Sequence, residues 1–459
     1  MVSYELKPTF ENLKKSILGD YVGRNDGIVN FIKFLDAIDG NIAIALNDNW
    51  GNGKTFFVKQ VQMVLQSYNE SNRDLSDIKN FIGQKIDNYQ FKNYLPVNYD
   101  AWSNDNDDDP ILSIIFRMLE SIEDLEDYEV KDQSWWDRLT SGLELISTTF
   151  GGPRIKNFFD SIKGENILKE IKKSKEIDEI LNNIFEIVLE KQPEGTRIIF
   201  FIDELDRCCP NYAVRMLERI KHYFIHEKIV FVLSINEIEL QHTIKRHYGN
   251  DFNADQYLHR FFDFMLPLPM GDKRKFYETI NFESSTVRFK IADIIIRKYN
   301  FSLRETIRYL SYLKVALLKK YNTEFHTENL FYFEVLAPFL IGLNIHDSNK
   351  FHDFINGANM EPFLKVMEGE NVDWYCQVLL DKSNETFKDT ETNDKTFVAL
   401  SDKFEPVYKC LFGKIESNSA HSVKVTDCEI EAVHKKLIME IVSLKYAYIN
   451  IDGEKNGID

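Results

Sequence analysis

The sequence predicts an α/β fold in its first part and a mostly helical remainder, on three observations. Short apolar bursts alternate with amphipathic stretches between residues 41 and 269, the pattern of a sheet wrapped by helices. A glycine-bearing loop joins the first burst to the first amphipathic stretch. Beyond Met270 the bursts cease and helical periodicity takes over.

In chain order, NIAIALND (41–48) is a short apolar run ending in turn residues, hence a buried strand. GKTFFVKQVQMVLQSY then sets Phe57, Val61, Val64 and Leu65 on one helical face. YLPVNY (94–99) reads as a second strand, and Asp107 to Pro110 open the next helix. Residues 165–191 are strongly helical, with Ile167, Ile171, Leu181, Ile184 and Val188 expected inside. RIIFFIDELD (197–206) is the most apolar strand, KIVFVLSIN (228–236) follows an amphipathic helix, and FFDFMLPLP (261–269) is a last strand closed by prolines. Helices are expected from Arg274 to Lys320, from Leu330 to about Leu380, and from Asp427 to Ile449. The polar stretch 384–395 between them reads as a surface loop.

With 44% hydrophobic and 28% charged residues over 459 positions, the chain is composed like an ordinary folded protein, which excludes wholesale disorder. That length buries a core without disulfides or metals. Fifty-six basic against 73 acidic residues leave a net charge of −17, which opposes unspecific binding to nucleic acid or anionic lipid without excluding a local basic groove. Five cysteines (208, 209, 376, 410, 428) form no CxxC pair, arguing for a reducing compartment and against a zinc ribbon. The N-terminus lacks the apolar core of a signal peptide. No stretch reaches about 20 apolar residues, and Phe331 to Ile345 is interrupted by Glu334 and Asn344. The expectation is a cytoplasmic protein with no membrane span.

Asp48-Asn49-Trp50-Gly51-Asn52-Gly53-Lys54-Thr55 lies between a predicted strand and a predicted helix, where a phosphate-binding loop belongs. Gly51 and Gly53 let the backbone curl so that successive N–H groups face phosphate oxygens, and the helix adds its positive end. In that pattern Lys54 reaches the β- and γ-phosphates and the Thr55 hydroxyl ligates Mg²⁺. Asp48 stands at the first glycine position, where its carboxylate repels a triphosphate unless the side chain turns outward. A glycine-rich turn that binds nothing is the competing reading, which the flanking strand and helix disfavour.

Ile198 to Ile202 end in Asp203-Glu204, the form of a Walker B strand, with Asp203 holding Mg²⁺ through a water and Glu204 polarising the attacking water. An acidic strand end that only caps the following helix is the alternative. Asn236, ending the strand 228–236, would contact the γ-phosphate or the lytic water if that strand lay between those ending in Asp48 and Asp203. It would equally cap a helix beginning near Ile238.

These segments resemble the KAP P-loop NTPases. The resemblance rests on NDNWGNGKTFF (47–57), NYDAWSNDNDDDP (98–110), FFIDELDRCCPNYAVRMLERIKHYF (200–224), IVFVLSINEIELQHTIKRHYG (229–249), YLHRFFDFMLPLP (257–269) and FSLRETIRYL (301–310). It implies an additional-strand P-loop fold with sheet order 5-1-4-3-2, which puts Asn236 between the two Walker strands. By motif position it implies nucleotide contacts from Asn49, Trp50, Gly51, Asn52, Gly53, Lys54, Thr55 and Phe56. It likewise implies metal ligation by Thr55 and Asp203, catalysis by Glu204, Lys54, Asn236 and Arg304, and ATP and Mg²⁺ as cofactors. DYVGR (20–24) resembles a segment that packs near adenine in related switch ATPases. The implied division is a P-loop domain over 1–270 with a helical insertion at about 101–195, a helical lid over 271–345, and a C-terminal helical region over 346–459. Many family members insert membrane helices between the Walker motifs; SGLELISTTFGG (141–152) is too short and polar for that.

Arg207, Arg260, Arg304 and Arg308 are the candidates for a γ-phosphate contact, in cis or from a neighbouring subunit, with Arg304 preferred as a lid sensor. His222 and His226, four apart near Cys208 and Cys209, read as a helical spacing rather than a metal site. Trp135-Trp136 read as an anchor of the insertion, and the basic run 169–175 as a solvated face. The expected function is a nucleotide-driven switch or assembly factor hydrolysing ATP, with a homo-oligomer or an effector protein as partner and anti-phage defence as the setting the resemblance implies. The rivals are a scaffold that binds nucleotide with negligible hydrolysis and a nucleic-acid-stimulated ATPase.

Overall fold

The computed structural model describes residues 7–68, 73–86, 89–107, 109–122, 132–150, 175–272, 275–277, 287–316, 331–368, 400–413, 422–425 and 428–443. The expectations for 165–174, for the loop 384–395 and for most of the basic run 169–175 fall outside these residues. The chain divides into two compact units, one of Leu6–Phe276 and one containing Tyr277–Asp459.

The first unit is built on five strands: β1 (Ile42–Asn47), β2 (Tyr94–Asp100), β3 (Arg197–Asp203), β4 (Ile229–Ile235) and β5 (Phe264–Pro267). They form one sheet in the order β2-β3-β4-β1-β5, and every neighbouring pair is parallel. A parallel sheet puts all strand C-termini on one edge, so the loops after β1, β3 and β4 converge there. β4 lies between β1 and β3, with Asn47 opposite Ile235 and Ile202 opposite Leu233.

β3 and β4 are apolar throughout because both faces are covered. Side chains alternate between the faces: Ile198, Phe200, Ile202, Phe231 and Leu233 enter one core, while Ile199, Phe201, Val230 and Val232 enter the other. Phe200 stacks on Phe231 with centroids 4.9 Å apart, and burying each such ring contributes about 1.5–3 kcal/mol.

The second of these cores is closed by α1 (Phe10–Gly19), α2 (Asn25–Ala37), α3 (Lys54–Ser67) and α4 (Ser76–Gly83). The expected inner face of α3 is buried at Phe57, Val61, Val64 and Leu65. The first core is closed by α5 (Pro110–Glu120), α6 (Gln133–Phe150), α7 (Lys175–Leu189) and α8 (Pro210–Tyr223). Asp109 caps α5 by accepting the Ile111 N–H at 3.0 Å, with Pro110 in the first turn. Trp135 is fully buried and donates its Nε1–H to the Ile187 carbonyl at 2.7 Å, tying α6 to α7. α9 (Glu237–Tyr248) and the short α10 (Ala254–Leu258) lead into β5.

The second unit contains α11 (Val287–Lys298) and α12 (Leu303–Ala316). α12 opens with a reciprocal cap, Ser302 N–H to Glu305 Oε2 at 2.8 Å and Glu305 N–H to Ser302 Oγ at 3.3 Å. A π-helical turn (Tyr332–Leu336) runs into α13 (Ala337–His346), whose residues Ala337 to Leu343 are all buried, as befits a helix apolar all round. α14 (Ser348–Ile355), α15 (Glu361–Met367) and α16 (Leu400–Phe412) share an aromatic cluster of Phe354, Phe363, Phe404 and Tyr408. The helix expected from Asp427 begins only at α17 (His434–Val442). Before it, β7 (Cys428–Glu431) pairs antiparallel with β6 (Ser422–Val425), Val423 facing Ile430, so strand pairing overrides local helical periodicity there. Among the described residues, no helix is long and apolar enough to cross a membrane.

Candidate nucleotide-binding site

The loop after β1 is hooked to β4 by the Asp48 N–H, which donates to the Ile235 carbonyl at 3.2 Å. Gly51 and Gly53 both take φ 88°, a left-handed conformation that only glycine adopts without strain. Gly53 is the residue before α3, so the helix N-terminus opens directly onto the loop. Lys54 is buried, and its Nζ donates to the Asp48 and Asn49 carbonyls at 2.5 and 3.1 Å. Burial pushes its pKa down, while the nearby acids Asp206, Asp48, Asp203 and Glu204 pull it back up.

Asp48 does not turn outward. Its Oδ1 accepts the Asn49 N–H and the Asn52 Nδ2–H, each at 2.7 Å, so the carboxylate is spent on the loop's own donors. Arg24 adds a brace from below: it is buried, and its Nη1 donates to the Asn52 carbonyl at 2.9 Å. Burial brings its pKa down to about 10 against the opposing field of Asp48. The segment 20–24 that carries Arg24 is itself tied down by Asp272 N–H to Val22 O at 2.7 Å.

At the end of β3, Asp203 is buried, with the Thr55 side chain close enough to offset part of the effect of that burial. Its Oδ1 accepts the Glu204 N–H at 3.0 Å. Burial raises the Asp203 pKa; Glu204 is raised by burial first and by the Asp203 charge next. Glu204 has φ 60°, a left-handed torsion costing on the order of 1–3 kcal/mol for a residue with a Cβ. Its carboxylate pairs with Arg207 Nε at 2.5 Å. The structure thus brings Lys54, Thr55, Asp203 and Glu204 together from two segments about 150 residues apart in sequence.

Asn236 also arrives at this edge, buried, but its Oδ1 accepts the Glu239 N–H at 3.4 Å as the cap of α9. Capping therefore engages the oxygen and leaves the amide nitrogen for any ligand contact. Of the four arginines, Arg207 is committed to Glu204; Arg260, Arg304 and Arg308 are exposed, and Arg308 lies over the Tyr312 ring at 5.5 Å.

Three further residues complete this edge. Asp206 is buried, and its Oδ2 accepts both the Trp50 indole N–H at 2.5 Å and the Asn236 N–H at 3.1 Å. One carboxylate thereby joins the phosphate loop, the β3 end and the β4 end. Arg24 and Trp102 are the others; Trp102 follows β2 and lies over the Arg207 guanidinium. The acidic D-x-x-D spacing after the apolar run was the only advance signal for Asp206.

The tempting cysteine–histidine cluster does not form. α8 ends at Tyr223, so His226 is beyond the helix and pairs with Glu186 at 3.0 Å, a correction to the helical spacing read for His222 and His226. The acid–histidine group that does converge among the described residues is Glu237, Asp255 and His259, largely exposed.

A buried lysine at a helix N-terminus, with a hydroxyl and a carboxylate close by, is a donor set suited to phosphate and to a hard divalent cation. The fold and this edge define an α/β protein of the P-loop class, a class that implies nucleotide binding. The profile of the KAP family P-loop domain matches residues 24–316, more than half of the chain, and the chain belongs to that family. No curated protein matches it. One solved structure, that of C. elegans PCH-2, is similar at 13% identity over 67% of this chain and 64% of its own, with a TM-score of 0.24. The chain thus covers less than two thirds of that relative, and a likeness of this degree carries no argument.

Proposed function

We propose that the protein binds ATP with Mg²⁺ at this edge and hydrolyses it, acting as a nucleotide-driven switch or assembly factor. The observation that carries the reading is the convergence of the buried Lys54 and its neighbour Thr55 with the acids Asp203 and Glu204. The backbone of Asn49 to Phe56 would cradle the phosphates, with Lys54 supplying positive charge at the β- and γ-positions. Thr55 and Asp203 would hold Mg²⁺, which neutralises phosphate charge when bound. Glu204 would orient the attacking water, the Asn236 amide would contact the γ-phosphate, and Arg304 would report the nucleotide state to a helical lid over 271–345. The sheet order, with β4 between β1 and β3, supports the additional-strand class. An effector protein or a second copy as partner, a cytoplasmic setting and a place in anti-phage defence rest on the family resemblance alone.

The Glu204–Arg207 ion pair favours a second reading, a switch that holds ATP and turns it over slowly. Phosphate release and ATP affinity of wild type, Lys54→Ala and Glu204→Gln separate the two. Hydrolysis predicts binding lost in Lys54→Ala and turnover lost with binding kept in Glu204→Gln. Equal phosphate release from wild type and Glu204→Gln would leave only the slow switch.

A further inference from the structure

We propose that Arg207 is the positioning residue of Glu204, and that Trp50 and Trp102 hold Arg207 to that task; this rests on the hydrolytic reading above. Arg207 and Glu204 lie three apart across the turn Leu205–Arg207, with Arg207 N–H donating to the Glu204 carbonyl at 3.1 Å. The side chains close the same turn through Nε and Oε2.

The guanidinium lies within reach of two indoles, its carbon 5.9 Å from the Trp50 centroid and 5.6 Å from the Trp102 centroid. Trp50 and Trp102 are 42% and 53% exposed, far more than the buried Trp135, so core packing does not account for them. Contact with a cation does, since an indole is the best ring for this attraction. A planar guanidinium can face rings and still donate in its own plane, which an ammonium cannot do.

Trp50 is fixed in turn by its indole N–H to Asp206. Arg207 therefore receives its place from the phosphate loop (Trp50) and from the turn after β2 (Trp102), and passes it to the carboxylate after β3. Because Arg207 takes Oε2, Oε1 is the oxygen that meets a water. This use of Arg207 also removes it from the candidates for a γ-phosphate contact.

The test is steady-state ATP turnover with Mg²⁺, with ATP affinity measured separately by calorimetry, on the full chain as wild type, Arg207→Ala, Trp102→Ala and Trp102→Phe. Arg207→Ala should lower kcat by about tenfold to a hundredfold and leave ATP affinity unchanged. Trp102→Ala should lower kcat by about threefold to tenfold, and Trp102→Phe, which keeps a ring, should restore most of it. A kcat that is unchanged or raised in Arg207→Ala, or affinity that falls in step with kcat, would overturn the assignment alone. A wild type without turnover would overturn the hydrolytic reading and this assignment together.

Discussion

Thr55, the residue after the loop lysine, lies beside Asp203 at the end of β3. This approach brings the two halves of the site together, while burial makes the Asp203 carboxyl hold its proton more tightly than usual, against the opposing influence of Thr55. Four expectations follow from the geometry of this edge.

Asp203→Asn should stabilise the ligand-free protein at neutral pH while removing Mg²⁺-dependent turnover. The folded pKa values of Asp203 and Glu204 are raised, by burial first. Stability linked to these protons is therefore fully present below the ordinary carboxylate range of about 4 and is lost as pH rises through the raised values. The asparagine keeps the acceptor for the Glu204 N–H without a charge. A gain of about 1 kcal/mol at pH 7, or roughly 2–4 °C in Tm, should shrink toward pH 4. Calorimetry across that range checks it, and a variant no more stable at pH 7 would count against the buried charge.

Asp48→Asn should tighten ATP binding. The amide preserves an acceptor for the Asn49 and Asn52 donors and removes a negative charge from the loop. At the separations involved this is worth about 1 kcal/mol, or roughly fivefold in affinity, and the gain should fade at high salt. Isothermal titration at two ionic strengths measures it; an unchanged affinity at low salt would mean that the carboxylate lies outside the phosphate field.

Asn236→Asp separates a cap from a nucleotide contact. The carboxylate oxygen still accepts the Glu239 N–H, so α9 keeps its cap, although a new charge beside the buried Asp206 should lower Tm by a few degrees. Asn236→Ala adds no charge and loses about 1 kcal/mol with the cap. The amide donor is gone in both variants, and kcat should drop by about tenfold or more. Full turnover in a stable Asn236→Asp protein would reduce Asn236 to a cap.

Trp50→Phe should cost about 1.5–3 kcal/mol of stability, the range for a hydrogen bond to a charged group, because it strips the indole donor from the buried Asp206 carboxylate. ATP binding to wild type should change its tryptophan fluorescence, since Trp50 lies in the phosphate loop, and the same variant should abolish that change. A signal that persists would point to Trp102 as its source.

The phosphate loop, the acidic end of β3 and the apolar strands could be read in advance, because each is a pattern confined to a few neighbouring residues. Glycines at 51 and 53 answer a torsion requirement, and both were found at φ 88°. Uninterrupted apolar runs answer burial on two faces, and β3 and β4 carry them. Where a local pattern had to compete with partners elsewhere, reading failed. Periodicity alone suggested helix at Cys428–Glu431, but pairing with Ser422–Val425 made it a strand. A four-residue spacing placed His226 on a helix that stops at Tyr223.

What the amino-acid order decided by itself was the P-loop class and the cast of charged groups, since backbone torsion, alternation and length are properties of adjacent residues. Which arginine meets which acid, where the Asp48 carboxylate turns, and the place of Asp206 between Trp50 and Asn236 were decided only by folding. Those outcomes depend on side chains brought together from distant segments in a partly buried space. There a charge settles against the nearest donor or ring, and no spacing in the chain specifies which one that is.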